Sequence, residues 1–354
     1  MKTRRSIINI ALNIHYVLSR FIKSLPDLGI AILAASVFQG CSKHACTQDS
    51  DFTGRPLDFP VKLAVHNLTD GSIKSIDALV FEDDILQRID CYQRFENSGK
   101  EILHVGSCSG NKIIFICANP QCDKEGWRSA DSFRKINQIK ADLEKEERSH
   151  PLMSAEVRTS AGGEICKANL ERLSSIVAVN SISCDFAGRP YEGETLTDVR
   201  IYLTNICGTC SITAQNTDRI ERIINHGGLI AEDLKAFSDS SLVIRHIGDI
   251  DSERIMTDIE LVCYPNTCID ENAGSSFTRL VIEGKIQGET WYWPININRE
   301  SGGTGIERNT KYTYDIVITR KGTKDPDSPI SWEMAEIKFE AERWNEKEEY
   351  HVGF

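Results

Sequence analysis

The chain has 354 residues, enough for about two ordinary domains. At 40% hydrophobic and 26% charged residues it is too apolar to be disordered and can build a sizeable core. The net charge is -11; Lys2, Arg4, Arg5, Arg20 and Lys23 against Asp27 give the first forty residues +4, so -15 falls on the rest. A body this acidic does not hold a phosphate backbone by bulk electrostatics, which excludes a general nucleic-acid binder.

The N-terminus reads as an address. Leu28 to Phe38 is an unbroken run of eleven apolar or small residues. It is too short to cross about 30 Å of hydrocarbon, but it suits the core of a signal peptide, with Arg20 and Lys23 as its positive flank. The run ends at Gln39-Gly40-Cys41-Ser42, which resembles a bacterial lipobox, in which the cysteine becomes an acylated N-terminus. Residues 1–40 are therefore expected to be a signal peptide, Cys41 a lipidation site, and residues 41–58 a polar tether between membrane and folded body.

Beyond the tether the chain reads as short strands. Val61 to Val65, Ile76 to Phe81, Ile113 to Ala118, Ser175 to Cys184, Val199 to Ile206, Leu242 to Ile247 and Ile259 to Tyr264 are apolar or alternating runs. So are Arg279 to Ile282, Thr290 to Ile297, Tyr312 to Thr319 and Ala335 to Trp344. Most are bounded by Gly, Pro, Asn or Asp. Helical spacing is sparse. Ser132 to Arg148 places Ile136, Ile139 and Leu143 on one face, predicting one amphipathic helix, with Glu144 to Arg148 on its solvated side. Asp218 to Phe237 predicts a second helical region, broken at Gly227-Gly228. The fold class is mostly β: two β-sandwich domains with one or two short helices, residues 59–190 and 191–354, with the seam at Phe186 to Thr197.

The search for chemistry yields no catalytic residue, no metal site and no cofactor. No GxSxG, GxxxxGK[ST], HExxH or GxGxxG is present, and no histidine lies within four residues of another. Of twelve cysteines, Cys117 and Cys263 sit inside apolar strand runs and read as small core residues; Cys207 and Cys210 form a CxxC that follows a strand. Trp291-Tyr292-Trp293 is the one aromatic cluster. It can be a sugar-stacking platform, making a surface glycan-binding lipoprotein the alternative function, but strand alternation favours Trp291 and Trp293 packing inward.

The C-terminal half carries a family resemblance. Tyr264-Pro-Asn266, Thr278 to Gly284, Thr290 to Ile297, Ile306 to Tyr312, Thr319 to Pro326 and Ile337 to Trp344 occur in an order similar to the C-terminal domain of the fimbrillin superfamily, the type V pilus subunits. Ile76 to Phe81, Ile113 to Asn119, and Arg172 ahead of Ile176 to Val179 resemble the family's N-terminal domain. The resemblance implies two transthyretin-like antiparallel sandwiches, export as an outer-membrane lipoprotein, and polymerisation by strand exchange. Partners would be other fimbrial subunits, the membrane through the lipid, and a host or bacterial surface ligand. The exchangeable first strand would present Phe59, Val61, Leu63 and Val65. The donor tail, Asn345 to Phe354, would present Tyr350, Val352 and Phe354. The loop His66 to Ile73 holds no arginine, and Arg55 is followed by Pro56, a departure from the arginine-cleaved shaft pattern.

Overall fold

The computed structural model describes residues 61–66, 72–96, 102–162, 164–213, 220–272, 274–299, 303–330 and 334–343. The expected signal, Cys41, the tether, Phe59 and the tail with Tyr350, Val352 and Phe354 lie outside the described residues, as do residues 67–71 of the loop after the first strand.

In the first part of the chain the strands are β1 (Val61–His66), β2 (Ser75–Glu82), β3 (Ile89–Glu96), β4 (Ile102–Val105), β5 (Asn111–Ala118), β6 (Lys140–Asp142), β7 (Met153–Ser160), β8 (Cys166–Asn169) and β9 (Glu171–Arg172). Helices α1 (Lys124–Trp127) and α2 (Phe133–Ile136) lie between β5 and β6. The second part holds β10 (Ser175–Cys184), β11 (Leu196–Thr204), β12 (Ile206–Cys207), β13 (Thr209–Ser211) and β14 (Ile223–Ile224), then α3 (Ala231–Ala236). It continues with β15 (Ile244–Ile250), β16 (Ile255–Cys263), β17 (Arg279–Ile286), β18 (Glu289–Asn296), β19 (Thr310–Ile318) and β20 (Ala335–Arg343).

Four larger sheets make two sandwiches. The first pairs the sheet β4-β1-β8 with the sheet β3-β2-β5-β7-β9, and the second pairs β16-β10-β19-β20 with β15-β11-β17-β18. β10 pairs only within the second sandwich, so the chain passes between sandwiches at Leu173–Ser174, ahead of the seam read at Phe186 to Thr197. Most pairings are antiparallel, but β1 runs parallel to β8 and β10 parallel to β19. Each sandwich thus opens with a strand set between an antiparallel and a parallel neighbour.

The five-stranded sheet explains its own sequence. Strand side chains alternate between faces, so a strand covered on both faces reads as a continuous apolar run. Ile76, Ala78 and Val80 of β2, with Ile114, Ile116 and Ala118 of β5, face the first sandwich's interior, against Val61, Val65, Leu103, Val105 and Ala168. Leu79 and Phe81, with Ile113, Phe115 and Cys117, face the other way. There they join Trp127, Ile136 and Leu143 in a core continuous with the second sandwich. Asp77 shares this second face. It is fully buried and accepts from Arg94 Nε at 2.6 Å and Nη2 at 2.7 Å, and from Trp127 Nε1 at 2.6 Å.

The helix read from Ser132 to Arg148 is not continuous. Only Phe133–Ile136 is α-helical; Lys140–Asp142 is a strand and Leu143–Lys145 a single 3-10 turn. The apolar spacing is real, since Ile136, Ala141 and Leu143 are buried, but pairing of β6 with β13 outcompetes a marginal helix. Glu146 is correspondingly 3% exposed rather than on a solvated face. In the second predicted helical region only Ala231–Ala236 is helical, and Ile223–Ile224 forms the short strand β14.

Candidate functional site

β1 is the central strand of a three-stranded sheet. Val61, Lys62, Leu63 and Ala64 pair antiparallel with Val105, His104, Leu103 and Ile102 of β4. Leu63, Ala64, Val65 and His66 pair parallel with Cys166, Lys167, Ala168 and Asn169 of β8. Val61 is 2% and Val65 4% exposed, both facing the interior, while Lys62 is exposed. Of the predicted first-strand residues, the structure therefore places Val61 and Val65 on one face of the strand, in the core. Leu63 is placed by its backbone register alone.

Among the described strands β4 and β8 each pair with β1 and not with each other. Without β1, two rows of backbone donors and acceptors would be left unpaired over a floor of Ile76, Ala78, Val80, Ile114 and Ile116. β10, the counterpart of β1 in the second sandwich, likewise lies between an antiparallel and a parallel neighbour. At the other end of the chain, β20 is an edge strand paired on one side by β19. Its Phe339 lies beside Tyr312 and Tyr314 with ring centroids 6.1 and 5.1 Å away, and is itself exposed.

The aromatic cluster splits. Trp293 is fully buried and its Nε1 donates to the Arg320 carbonyl at 3.0 Å. Gly322 permits the close approach of that loop, since a Cβ there would meet the Tyr292 carbonyl oxygen at 2.0 Å. Trp291 is half-buried, and Lys324 Nζ covers its ring 3.5 Å from the centroid. A stacking platform needs an open ring face. The buried Trp293 supplies none, and at Trp291 the Lys324 ammonium stands over the ring.

The titratable groups are engaged in structure. Glu146 lies between the sandwiches and borders a cleft of about 280 Å³ with Lys74, Asn119, Gln121 and His150. Its Oε1 accepts from Leu152 N at 3.1 Å and Ser174 Oγ at 3.2 Å, and its Oε2 from the Tyr264 hydroxyl at 3.0 Å. Burial raises its pKa to about 7 against those hydrogen bonds. A raised carboxyl in a cleft is one mark of a catalytic acid, but here both oxygens are occupied by protein donors. Sequence reading missed this residue because it sits in a run of charges, Glu144 to Arg148. Only the neighbouring apolar Leu143 hinted at burial.

Among the described residues no group of three His, Cys, Asp or Glu side chains could hold a metal. The ten described cysteines are free thiols. Cys117 and Cys263 are fully buried in strands, as their apolar contexts predict. Burial pushes Cys207 up to about 11 and Cys210 up to about 12, which disfavours the thiolate a redox pair would need.

No protein-family model matches the sequence, and no curated protein matches it significantly. Solved structures do match its shape. A fimbrilin from Porphyromonas gingivalis superposes with a TM-score of 0.58 at 14% identity, over 82% of this chain and 99% of that one. The fold is that of the fimbrillins. A candidate cell-adhesion protein from Bacteroides eggerthii gives a TM-score of 0.60 at 13% identity, over 81% and 96% of the two chains. Another from Parabacteroides distasonis gives 0.56 at 13% identity, over 81% and 100%. The likeness in fold covers about four-fifths of this chain and so spans both sandwiches.

Proposed function

We propose that this chain is a structural subunit of a cell-surface fimbria, supporting adhesion and assembled by exchange of β-strands. In this reading β1 is displaced, and the gap between β4 and β8 is filled by the tail of another subunit. Tyr350, Val352 and Phe354 alternate, so they would enter where Val61, Leu63 and Val65 now stand. The observation that carries the proposal is the central position of β1 between β4 and β8, with Val61 and Val65 buried. Export through a signal at residues 1–40, acylation of Cys41 and a tether at 41–58 would place the precursor on the outer membrane. The fimbrial and cell-adhesion proteins among the similar structures support a fimbrial or adhesive role.

The test is to remove the chain up to Ile73 by protease or by truncation of the gene. The trimmed protein is expected to form ladders that survive SDS unless heated. Deleting residues 345–354 as well should abolish the ladders while leaving the subunit folded. A trimmed protein that stays strictly monomeric with an intact fold overturns the proposal.

A further inference from the structure

Lys112 is a cation that the first sandwich has buried completely. On β5 it shares a face with Ile114 and Ile116, so it points into the interior, and its side chain has no exposed surface. Its Nζ lies 2.6 Å from Glu82 Oε2 on β2 and 2.9 Å from Asp90 Oδ2 on β3. Glu82 sits directly across the ladder from Lys112. Asp90 is two strands away and reaches the same point through a β-bulge: Val80 pairs with Cys91 and Phe81 with Ile89, leaving Asp90 as the extra residue. A bulge re-aims a side chain. Here it turns Asp90 inward beside the buried Cys91, and the Asp90 carboxylate is fully removed from solvent.

One ammonium between two carboxylates, on the face of the sheet that carries Val80 and Ile114, is an expensive way to hold three strands together. Taking each ion out of water is costly. An amide between Lys112 and Asp90 removes both charges and holds the same strands. We propose that Lys112 and Asp90 become joined by an intramolecular isopeptide bond, with Glu82 carrying the protons.

Glu82 and Asp90 both lie against the Lys112 Nζ, and the steps run through that atom. Glu82 takes a proton from the Lys112 ammonium, leaving a neutral amine against the Asp90 carboxyl. The amine nitrogen attacks Asp90 Cγ, forming the C–N bond, while Glu82 passes its proton to a carboxyl oxygen. The Cys108 backbone N–H, 2.8 Å from Asp90 Oδ2, stabilises the negative charge that develops there. Glu82 then removes a proton from the nitrogen and delivers it to the departing hydroxyl. An ammonium and a carboxylate become an amide and one water, and Glu82 ends ionised as it began; no oxidant or cofactor is involved. Glu82 is the member of the trio with partial solvent exposure, which gives the water an exit. Fixed contact of this kind corresponds to effective concentrations of about 10⁵–10⁸ M, which favours condensation over hydrolysis.

Peptide mapping of the full chain tests the link. The protein is denatured, its thiols reduced and alkylated, and the digest read by mass spectrometry. The expected result is a branched peptide uniting the segments around Asp90 and Lys112, lighter than their sum by one water, with no tryptic cut at Lys112. Recovery of linear peptides carrying a free Lys112 amine from most of the folded protein overturns the proposal. Glu82→Gln, which keeps the shape and removes the proton carrier, should yield the linear peptides. A Glu82→Gln protein that still gives the branched peptide overturns the role of Glu82. The wild-type map needs no variant to fold.

Discussion

Glu146 shows how a single buried carboxyl can set the response of the junction to pH. Its folded pKa is raised above the ordinary carboxylate value by burial, to about 7. A group whose folded pKa is raised adds stability at pH below its unfolded value, and that stability drains away as pH climbs through the folded value. The window here runs from about 4.5 to about 7, and each pKa unit is worth about 1.4 kcal/mol, so a few kcal/mol are at stake. Glu146→Gln, which keeps a neutral group of the same shape, should match wild type near pH 5 and exceed it in Tm near pH 8. Equal wild-type and variant melting curves across that range would sink this account. The residue was not legible in the sequence. A glutamate inside Glu144-Lys-Glu-Glu-Arg148 reads as solvated, and only tertiary partners, Tyr264 and Ser174, reveal otherwise.

At the scale of elements, the prediction concerns β1. Val65→Asp would place an unpaired carboxylate in the core of the first sandwich, at a cost of several kcal/mol unless the strand leaves. The expected outcome is local: hydrogen exchange quickens at Leu103, Val105 and Ala168, which pair with or pack beside β1, while Ile316 and Ile282 of the second sandwich keep their protection. Uniform loss of protection throughout would show that β1 is not separable. Strands with continuous or alternating apolar patterns were readable from sequence, and Ser175–Cys184 has the predicted bounds. β3, β4, β7 and β8 were not, because their residues are mixed: β7 alternates half-buried and exposed positions, and β8 buries Ala168 alone. The misread helix at Ser132 to Arg148 has a related cause. Apolar residues three or four apart also arise when a chain folds into a turn, a three-residue strand and a 3-10 turn against one surface.

Across the whole molecule the two sandwiches share one apolar core and are also tied by hydrogen bonds that cross between them. Arg308, just ahead of β19, reaches back to the first sandwich and donates to the Glu171 carbonyl at 2.7 Å, the Ser154 hydroxyl at 3.1 Å and the Arg172 carbonyl at 3.2 Å. Arg148 makes the reverse reach, donating to the Glu260 carbonyl at 2.8 Å. Arg308→Ala strands those acceptors, at about 1.5–3 kcal/mol for each charged hydrogen bond lost. Calorimetry should then resolve two transitions where the wild type shows one. A single unshifted transition would mean that the continuous apolar core, not Arg308, couples the halves. The division into two sandwiches was legible in the strand count. Its position was not, because the Gly- and Pro-containing stretch Phe186 to Thr197 is a connection inside the second sandwich, between β10 and β11.

The neighbours of β1 run in opposite directions, β4 antiparallel to it and β8 parallel. Any ribbon laid in that place makes one ladder of each kind, whichever end enters first, and parallel pairing is only slightly the weaker. Main-chain bonding is therefore blind to the polarity of an incoming segment. Under the proposed exchange, the choice between head-first and tail-first insertion, and with it whether successive copies point the same way, would fall to the spacing of the side chains that fill the positions of Val61 and Val65.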